Sequence, residues 1–188
     1  MSHQNLPMIR KARRVIGKTL VFRDAEVADA AFILRLRTDE NKSRYLSATS
    51  ADLFAQQAWL EAYANSNDQA YFIIESQGEP IGTIRLYDAQ GDSFCWGSWI
   101  LMDSRPGHAA MESALMVYSY AVDDLGFQSA HFDVRKGNER VWRFHERFGA
   151  SRISETEQDY FYELSLHSIK NAREKYARYL PSNVIAIR

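Results

Sequence analysis

Phe94-Cys95-Trp96-Gly97-Ser98-Trp99-Ile100-Leu101, followed after Met102 by Asp103-Ser104-Arg105-Pro106-Gly107-His108-Ala109-Ala110, decides how this chain is read. The first eight residues are rich in aromatic and β-branched side chains, which predicts a strand. The second eight are polar and broken by Pro106 and Gly107, which predicts an irregular turn. Apolar residues then recur at helical spacing from Ala109 to Leu125. A second strand is predicted over Ser129 to Arg135, and a second helix over Asn138 to Gly149. A strand, a tight turn at a helix start and a neighbouring strand can hold a phosphorylated ligand. The bare N–H groups and the positive dipole end of such a helix favour anions.

Around this segment the composition is that of a globular protein. The chain has 188 residues, 46% hydrophobic and 25% charged, which predicts one domain with a real core and argues against disorder. A formal net charge of -1 supplies no global field toward nucleic acid or a membrane surface, and neither is expected as a partner. Cys95 is the one cysteine, so no internal disulfide can form, and no metal is expected. The apolar runs are too short to span a bilayer, and the first residues lack a signal-type apolar core. A cytoplasmic location follows as the expectation.

Residues 1–18 read as a basic N-terminal extension: Arg10, Lys11, Arg13, Arg14 and Lys18 stand without an acid, which suggests a solvated, frayed arm or one that meets an anion or a partner subunit. Thr19 to Arg23 is predicted as a strand. A helix then runs from Asp24 or Glu26 to Thr38, with a polar turn to Tyr45. Ser50-Ala51-Asp52 caps a second helix whose apolar positions are Leu53, Phe54, Ala58, Trp59 and Tyr63. Ala70 to Glu75 and Ile81 to Tyr87 form a hairpin that leads into the Phe94 strand. Two strands follow Gly149, over Ala150 to Ser154 and Asp159 to Leu166. A last helix from His167 ends before Pro181. The domain is placed at 19–166. Residues 167–188 are set apart as a C-terminal helix and tail, whose apolar end packs on the domain or joins a homodimer.

The central stretch resembles the GNAT family, the GCN5-related N-acetyltransferases. That family's cofactor loop reads Gln or Arg, two residues, Gly, one residue, Gly or Ala. Arg105-Pro106-Gly107-His108-Ala109-Ala110 aligns with it without a gap, with His108 at the middle Gly. Asn138 matches the start of the family's next helix, and His145-Glu146-Arg147-Phe148-Gly149-Ala150 matches its end, with His145 at a Tyr. The resemblance runs from about Thr19 to Leu166. It implies an α/β (α+β) fold: a mixed, mostly antiparallel central sheet with flanking helices, splayed at the cofactor strand. It also implies acetyl-CoA as co-substrate and a small-molecule primary amine as acceptor.

Acetyl transfer needs a neutral amine, a polarised thioester carbonyl and a proton for the leaving thiolate. By resemblance, backbone groups of Ile100, Leu101 and Met102 polarise the carbonyl, and the pyrophosphate rests on Arg105, Gly107, His108, Ala109 and Ala110. Pro106 can donate no N–H. Asn138 meets the pantetheine arm, or is simply a helix cap. His145 takes the place of the thiolate-side proton donor, a role open to an imidazole that titrates near neutrality; the other reading is a plain histidine on an amphipathic helix. The carboxylate base that the family often carries on its cofactor strand is replaced by Cys95. Asp88, Asp92, Asp133 and His131 are other candidates without supporting context. Arg37, Asn41, Tyr45 and Trp99 are expected at the acceptor, since arginine forks suit phosphate or carboxylate.

The same elements are similar both to amino-sugar nucleotide acetyltransferases and to ribosomal-protein N-terminal acetyltransferases. The arginines and Tyr45 favour the nucleotide-linked sugar. A non-catalytic acyl-CoA-binding module, or an assembly role through the C-terminal helix, stays open beside them.

Overall fold

The sheet is built around its most completely buried strand. In Ala70–Ser76 (β3), Ala70, Phe72 and Ile74 point into one apolar cluster, and Tyr71 and Ile73 into another on the opposite face. A strand buried on both sides needs no polar alternation, and this run has none before Glu75. The structure, a computed structural model, describes residues 6–45 and 48–188.

Among the described residues nine strands form one sheet, ordered β7-β8-β6-β5-β4-β3-β2-β1-β9. In chain order they are Arg14–Ile16 (β1), Leu20–Asp24 (β2), β3, Glu79–Gln90 (β4), Ser93–Leu101 (β5), Ser129–Arg135 (β6), Ser151–Glu155 (β7), Asp159–Ser165 (β8) and Ile185–Ile187 (β9). Every pairing is antiparallel except β5 with β6. The helices are Ala30–Thr38 (α1), Glu40–Ser43 (α2), Leu53–Asn65 (α3), Ala109–Ser119 (α4), Glu139–Arg147 (α5) and Leu166–Lys175 (α6). Side chains of α1 and α3 pack on the Tyr71 and Ile73 face; those of α4, α5 and α6 pack on the other. This is the mixed, mostly antiparallel architecture expected from the sequence.

Two features of β5 shape the molecule. It pairs with β6 only at Ser93–Ser129 and Phe94–Ala130, and beyond these the two strands part. Its register against β4 slips between Thr83–Ile100 and Arg85–Gly97, and Ser98 sits in that bulge at φ +47°. A bulge bends and twists the strand that carries it. Gly82 is needed beside it, because a Cβ there would overlap the Ile100 carbonyl oxygen and lie 2.9 Å from Leu101 Cδ2.

Several expectations need correction. Over its described residues, 6–18, the basic N-terminal arm is not a frayed tail: Ile9, Ala12 and Val15 are buried, and β1 pairs with both β2 and β9. Its arginines are outward neighbours of a short apolar stripe that three residues of strand could not reveal. The apolar tail adds β9 to the same edge, leaving Ile185 and Ile187 exposed. In α3 the buried face is Gln56, Leu60 and Tyr63, whereas Phe54 is 80% exposed and Trp59, partly exposed, packs on Tyr63 and Tyr71. The helix before Thr38 opens with a separate 3-10 turn at Val27–Asp29, closed by a reciprocal Glu26–Asp29 capping box. The helix from Ala109 ends at Ser119 and continues as one wide turn over Tyr120–Asp124 before Gly126 at φ +89°. The last helix is shorter than expected and is capped by Ser165, whose Oγ accepts from the Ser168 N–H.

Candidate active site

Where β5 and β6 separate, they open a cleft of about 720 Å³. Its floor is β4, β5 and β6; α3 and the start of α5 stand on either side. Of the residues expected at the site, Arg37, Tyr45, Trp99, Asn138 and His145 all line it. Asn41 does not: it is exposed on α2, where its N–H donates to Asp39 Oδ1 at 3.0 Å. Tyr45 reaches the turn before α5, so that a Cβ on Gly137 would lie 3.0 Å from its ring. Lys42 reaches Asp103 at 2.6 Å and ties α2 to the loop before α4.

Ile100, Leu101, Met102, Arg105, Gly107, His108, Ala109 and Ala110 form a second group, at the far end of β5 and the start of α4. Met102 donates its N–H to Ile81 O at 2.8 Å. Since successive strand N–H groups alternate sides, the Leu101 N–H is directed to the side where β6 has moved away. In the turn, Arg105 folds back so that Nη1 donates to Met102 O at 3.0 Å. The first turn of α4 leaves N–H groups without intrahelical acceptors, and beside them Gly107 faces open space. These features suit a diphosphate.

His108 does not distort this loop. It caps α4 at φ -85°, an angle any residue adopts. Its ring turns away, with Nε2 at 2.8 Å from Thr19 Oγ1 and 3.7 Å from Glu112 Oε2. Glu112 is fully buried and accepts from the N–H groups of Thr19 and Leu20 at 2.6 and 2.9 Å. The loop histidine therefore belongs to a clamp between α4 and β2. His108 gives no support to a non-catalytic module, whose other ground is Cys95 in place of the strand carboxylate.

His145 lies at the base of the cleft against Phe132 (centroids 4.2 Å), Trp96 (5.2 Å) and Phe144 (5.8 Å). Burial among these rings pushes its pKa down to about 3, and Nδ1 is enclosed without a hydrogen-bond partner. The ring is thus neutral at physiological pH, and an imidazolium donor is not its resting form. Trp99 Nε1 donates to Ser113 Oγ at 3.2 Å, fixing the indole over α4. Asn138 stands at the α5 N-terminus, but its side chain makes no capping bond, which leaves the amide available to a ligand. Cys95 is buried, and its thiol is pushed up to about 11, chiefly by burial, so it is not a resting thiolate.

Sequence reasoning missed the cation at the centre of the cleft. Arg85 lies between two rings, 4.7 Å from the Tyr87 centroid and 5.3 Å from that of Trp59. Burial lowers its pKa, its Nε has no hydrogen-bond partner, and among the described residues no carboxylate pairs with it. Nearby, the Tyr71 hydroxyl is buried beside Arg37, Thr83 and Arg85 without an aligned partner. Only strand alternation along Ile81 to Tyr87 hinted that Arg85 and Tyr87 share a face; α3 had to be placed to show Trp59 above them.

A sheet split at one parallel pair, with a helix start whose first N–H groups lack intrahelical acceptors and a polar cleft where the strands part, is an arrangement suited to acyl transfer. The family model described as an acetyltransferase (GNAT) domain matches residues 19–151, and the chain belongs to that family as an N-acetyltransferase. Among solved structures it is similar to apo FdhC, described as a nucleotide-linked sugar GNAT, at 39% identity and TM-score 0.80, over 89% of this chain and 98% of that one. A GCN5-related N-acetyltransferase from Brucella melitensis has the same fold at 16% identity and TM-score 0.76, over 94% and 90% of the two chains. A point variant of a spermidine N-acetyltransferase from Vibrio cholerae does so at 15% identity and TM-score 0.69, over 81% and 97%. No curated protein sequence matches the chain. Among the described residues no helix is long and apolar enough to cross a membrane, and no cluster of three or more His, Cys, Asp or Glu could hold a metal.

Proposed function

We propose that this enzyme moves the acetyl group of acetyl-CoA to the primary amine of a nucleotide-linked amino sugar. The observation that carries the reading is the 39% identity, over 89% of this chain and 98% of the other, to a protein described as a nucleotide-linked sugar GNAT. The cleft supports it. A nucleotide-linked sugar brings phosphates and a flat base, and Arg85 offers an uncompensated guanidinium between exposed Trp59 and Tyr87.

In this reading acetyl-CoA supplies the activated acyl group. The N–H groups at the α4 start, with Arg105, hold its diphosphate, and Asn138 meets the pantetheine amides. Backbone groups of Ile100, Leu101 and Met102 orient the carbonyl. His145, neutral, directs an N–H toward the sulfur and stabilises negative charge as it forms there, while solvent supplies the proton. Holding amine and thioester together provides much of the acceleration.

The test is a set of initial rates with acetyl-CoA against nucleotide-linked amino sugars, the same sugars without nucleotide, and peptide N-termini. The nucleotide-linked sugars should exceed the free sugars in kcat/KM by at least about tenfold, since a buried site built for a polar group discriminates against its absence. Acetylation of peptide N-termini alone would reverse the assignment.

A further inference from the structure

The acceptor of this enzyme is an amine, which is mostly protonated near neutral pH and attacks only through a free lone pair. The cleft must therefore hold an ammonium and receive its proton. Among the described lining residues there are three arginines, Arg37, Arg85 and Arg135, but a single carboxylate, Asp133. Arg135, on the same strand, is engaged by Asp159 at 3.1 Å. Asp133 itself has no hydrogen bond or ion pair among the described residues.

The strand register places this carboxylate. Phe94 stands beside Ala130 in the parallel pair, and extending that step brings Asp133 abreast of Gly97. On its other side Gly97 is partnered by Arg85. Arg85, Gly97 and Asp133 thus share one row across β4, β5 and β6. Two strand spacings of about 4.8 Å each separate the outer two, before the splay adds more, which is too far for an ion pair. Gly97 carries no side chain, and the phenol of Tyr87 fills the space over it, its hydroxyl 3.0 Å from where a Gly97 Cβ would be. The negative charge of Asp133 acts on Tyr87 and on Cys95, so the carboxylate faces the cleft floor and not open solvent alone.

We propose that Asp133 anchors the acceptor ammonium beside the Tyr87 hydroxyl in this row and, directly or through one water, takes the proton that the amine sheds. The ammonium first gives one proton to the Asp133 carboxylate, which passes it to solvent, and the freed nitrogen lone pair then forms the C–N bond. The C–S bond breaks with its electron pair leaving on sulfur, the nitrogen sheds its second proton, and the thiolate takes up a proton to leave as the thiol. Arg85 at the other end of the row receives the acceptor's anionic portion, so the cleft selects molecules with an amine and an anion about one sugar apart. The assignment of Asp133 rests on this cleft being the acceptor site, and not on which amine fills it. The charged and titratable groups around Asp133 are Arg85 and Tyr87 of β4, Cys95 of β5, His131 and Arg135 of its own strand, and Glu163 and Asp159 of β8, which partner His131 and Arg135.

The experiment compares the full-length chain with Asp133→Asn and Asp133→Glu, using acetyl-CoA and any amine that the unaltered enzyme acetylates. The Asn variant should lose about 10²- to 10⁴-fold in kcat/KM for the amine, the usual worth of a positioned base. Its acetyl-CoA Kd should not change. The deficit should shrink as pH is raised from about 7 to about 9, because free amine then replaces the missing base. Asp133→Glu should recover at least about tenfold of the loss. An Asn variant within about threefold of the unaltered enzyme overturns the proposal. So does a loss of the same size at every pH accompanied by a lowered urea midpoint, which marks a structural role. Should nucleotide-linked sugars fail while another amine is acetylated, the comparison is run on that amine, and the substrate reading fails by itself.

Discussion

Replacing His145 by Phe removes the one imidazole that the fold holds in an apolar shell with Nδ1 unpartnered. Phe fits a cage already made of Phe132, Phe144 and Trp96. Two effects on stability follow. Relief of a buried polar atom without a partner should stabilise the fold by about 1–2 kcal/mol at pH 7.5. The second effect depends on pH. With a folded pKa of about 3, against an ordinary value near 6.5, the unfolded chain binds a proton that the folded chain refuses between those limits. Stability of the native enzyme therefore falls as pH falls through that window, by up to about 1.4 kcal/mol per pH unit for this residue alone. Integrated from about pH 7.5 to about pH 5, the contribution is about 2 kcal/mol. All other titrating groups are common to both proteins, so the advantage of His145→Phe should widen by that amount. Urea unfolding followed by tryptophan fluorescence at the two pH values reads it directly. A difference that stays constant to within about 0.5 kcal/mol between them would refute the claim that burial keeps this ring neutral. In the same variant turnover should fall much more than acetyl-CoA affinity; unchanged turnover would remove His145 from the chemistry.

Gly82→Ala should push β5 away from β4 at Ile100, costing about 1–3 kcal/mol in urea unfolding and, since displacements near 1 Å at reacting groups are severe, up to about 100-fold in kcat. A stable variant with full kcat would show that this contact does not set the carbonyl-facing backbone. Arg85→Met should raise KM for a phosphate-bearing acceptor by about tenfold or more, while the calorimetric Kd for acetyl-CoA stays put; equal loss for acceptors with and without phosphate would contradict the anchor. Glu112→Ala strands the Thr19 and Leu20 N–H groups and should lower stability by about 2–3 kcal/mol, or about 5–10 °C in Tm, with no change in Tm arguing against the α4–β2 clamp.

What the sequence by itself determined is local and consecutive. The strand at Phe94, the turn at Arg105 to Ala110, the helix from Ala109 and the strand at Ser129 were legible because each obeys one periodicity or one backbone rule over a short span. The β9 end of the sheet was not, since β1 and β9 are three residues each and are fixed by pairing, β1 with β2 and β9, and β9 with β1. Nor was the inward face of α3, where Phe54 lies in solvent and Trp59 packs on Tyr63 and Tyr71 at the edge of the cleft. The state of His145 also lay beyond the sequence. Its neighbours Trp96 and Phe132 come from two other strands, and only their convergence strips water from the ring and makes it neutral. The row of Arg85, Gly97 and Asp133 arises in the same way. Three strands contribute one residue each, and the intervening strand, with the separation of β5 from β6, keeps a cation and an anion apart in one row. Periodicity places a side chain on a face, but distances across a sheet are set by pairing between segments far apart in the chain, and there the tertiary structure decides.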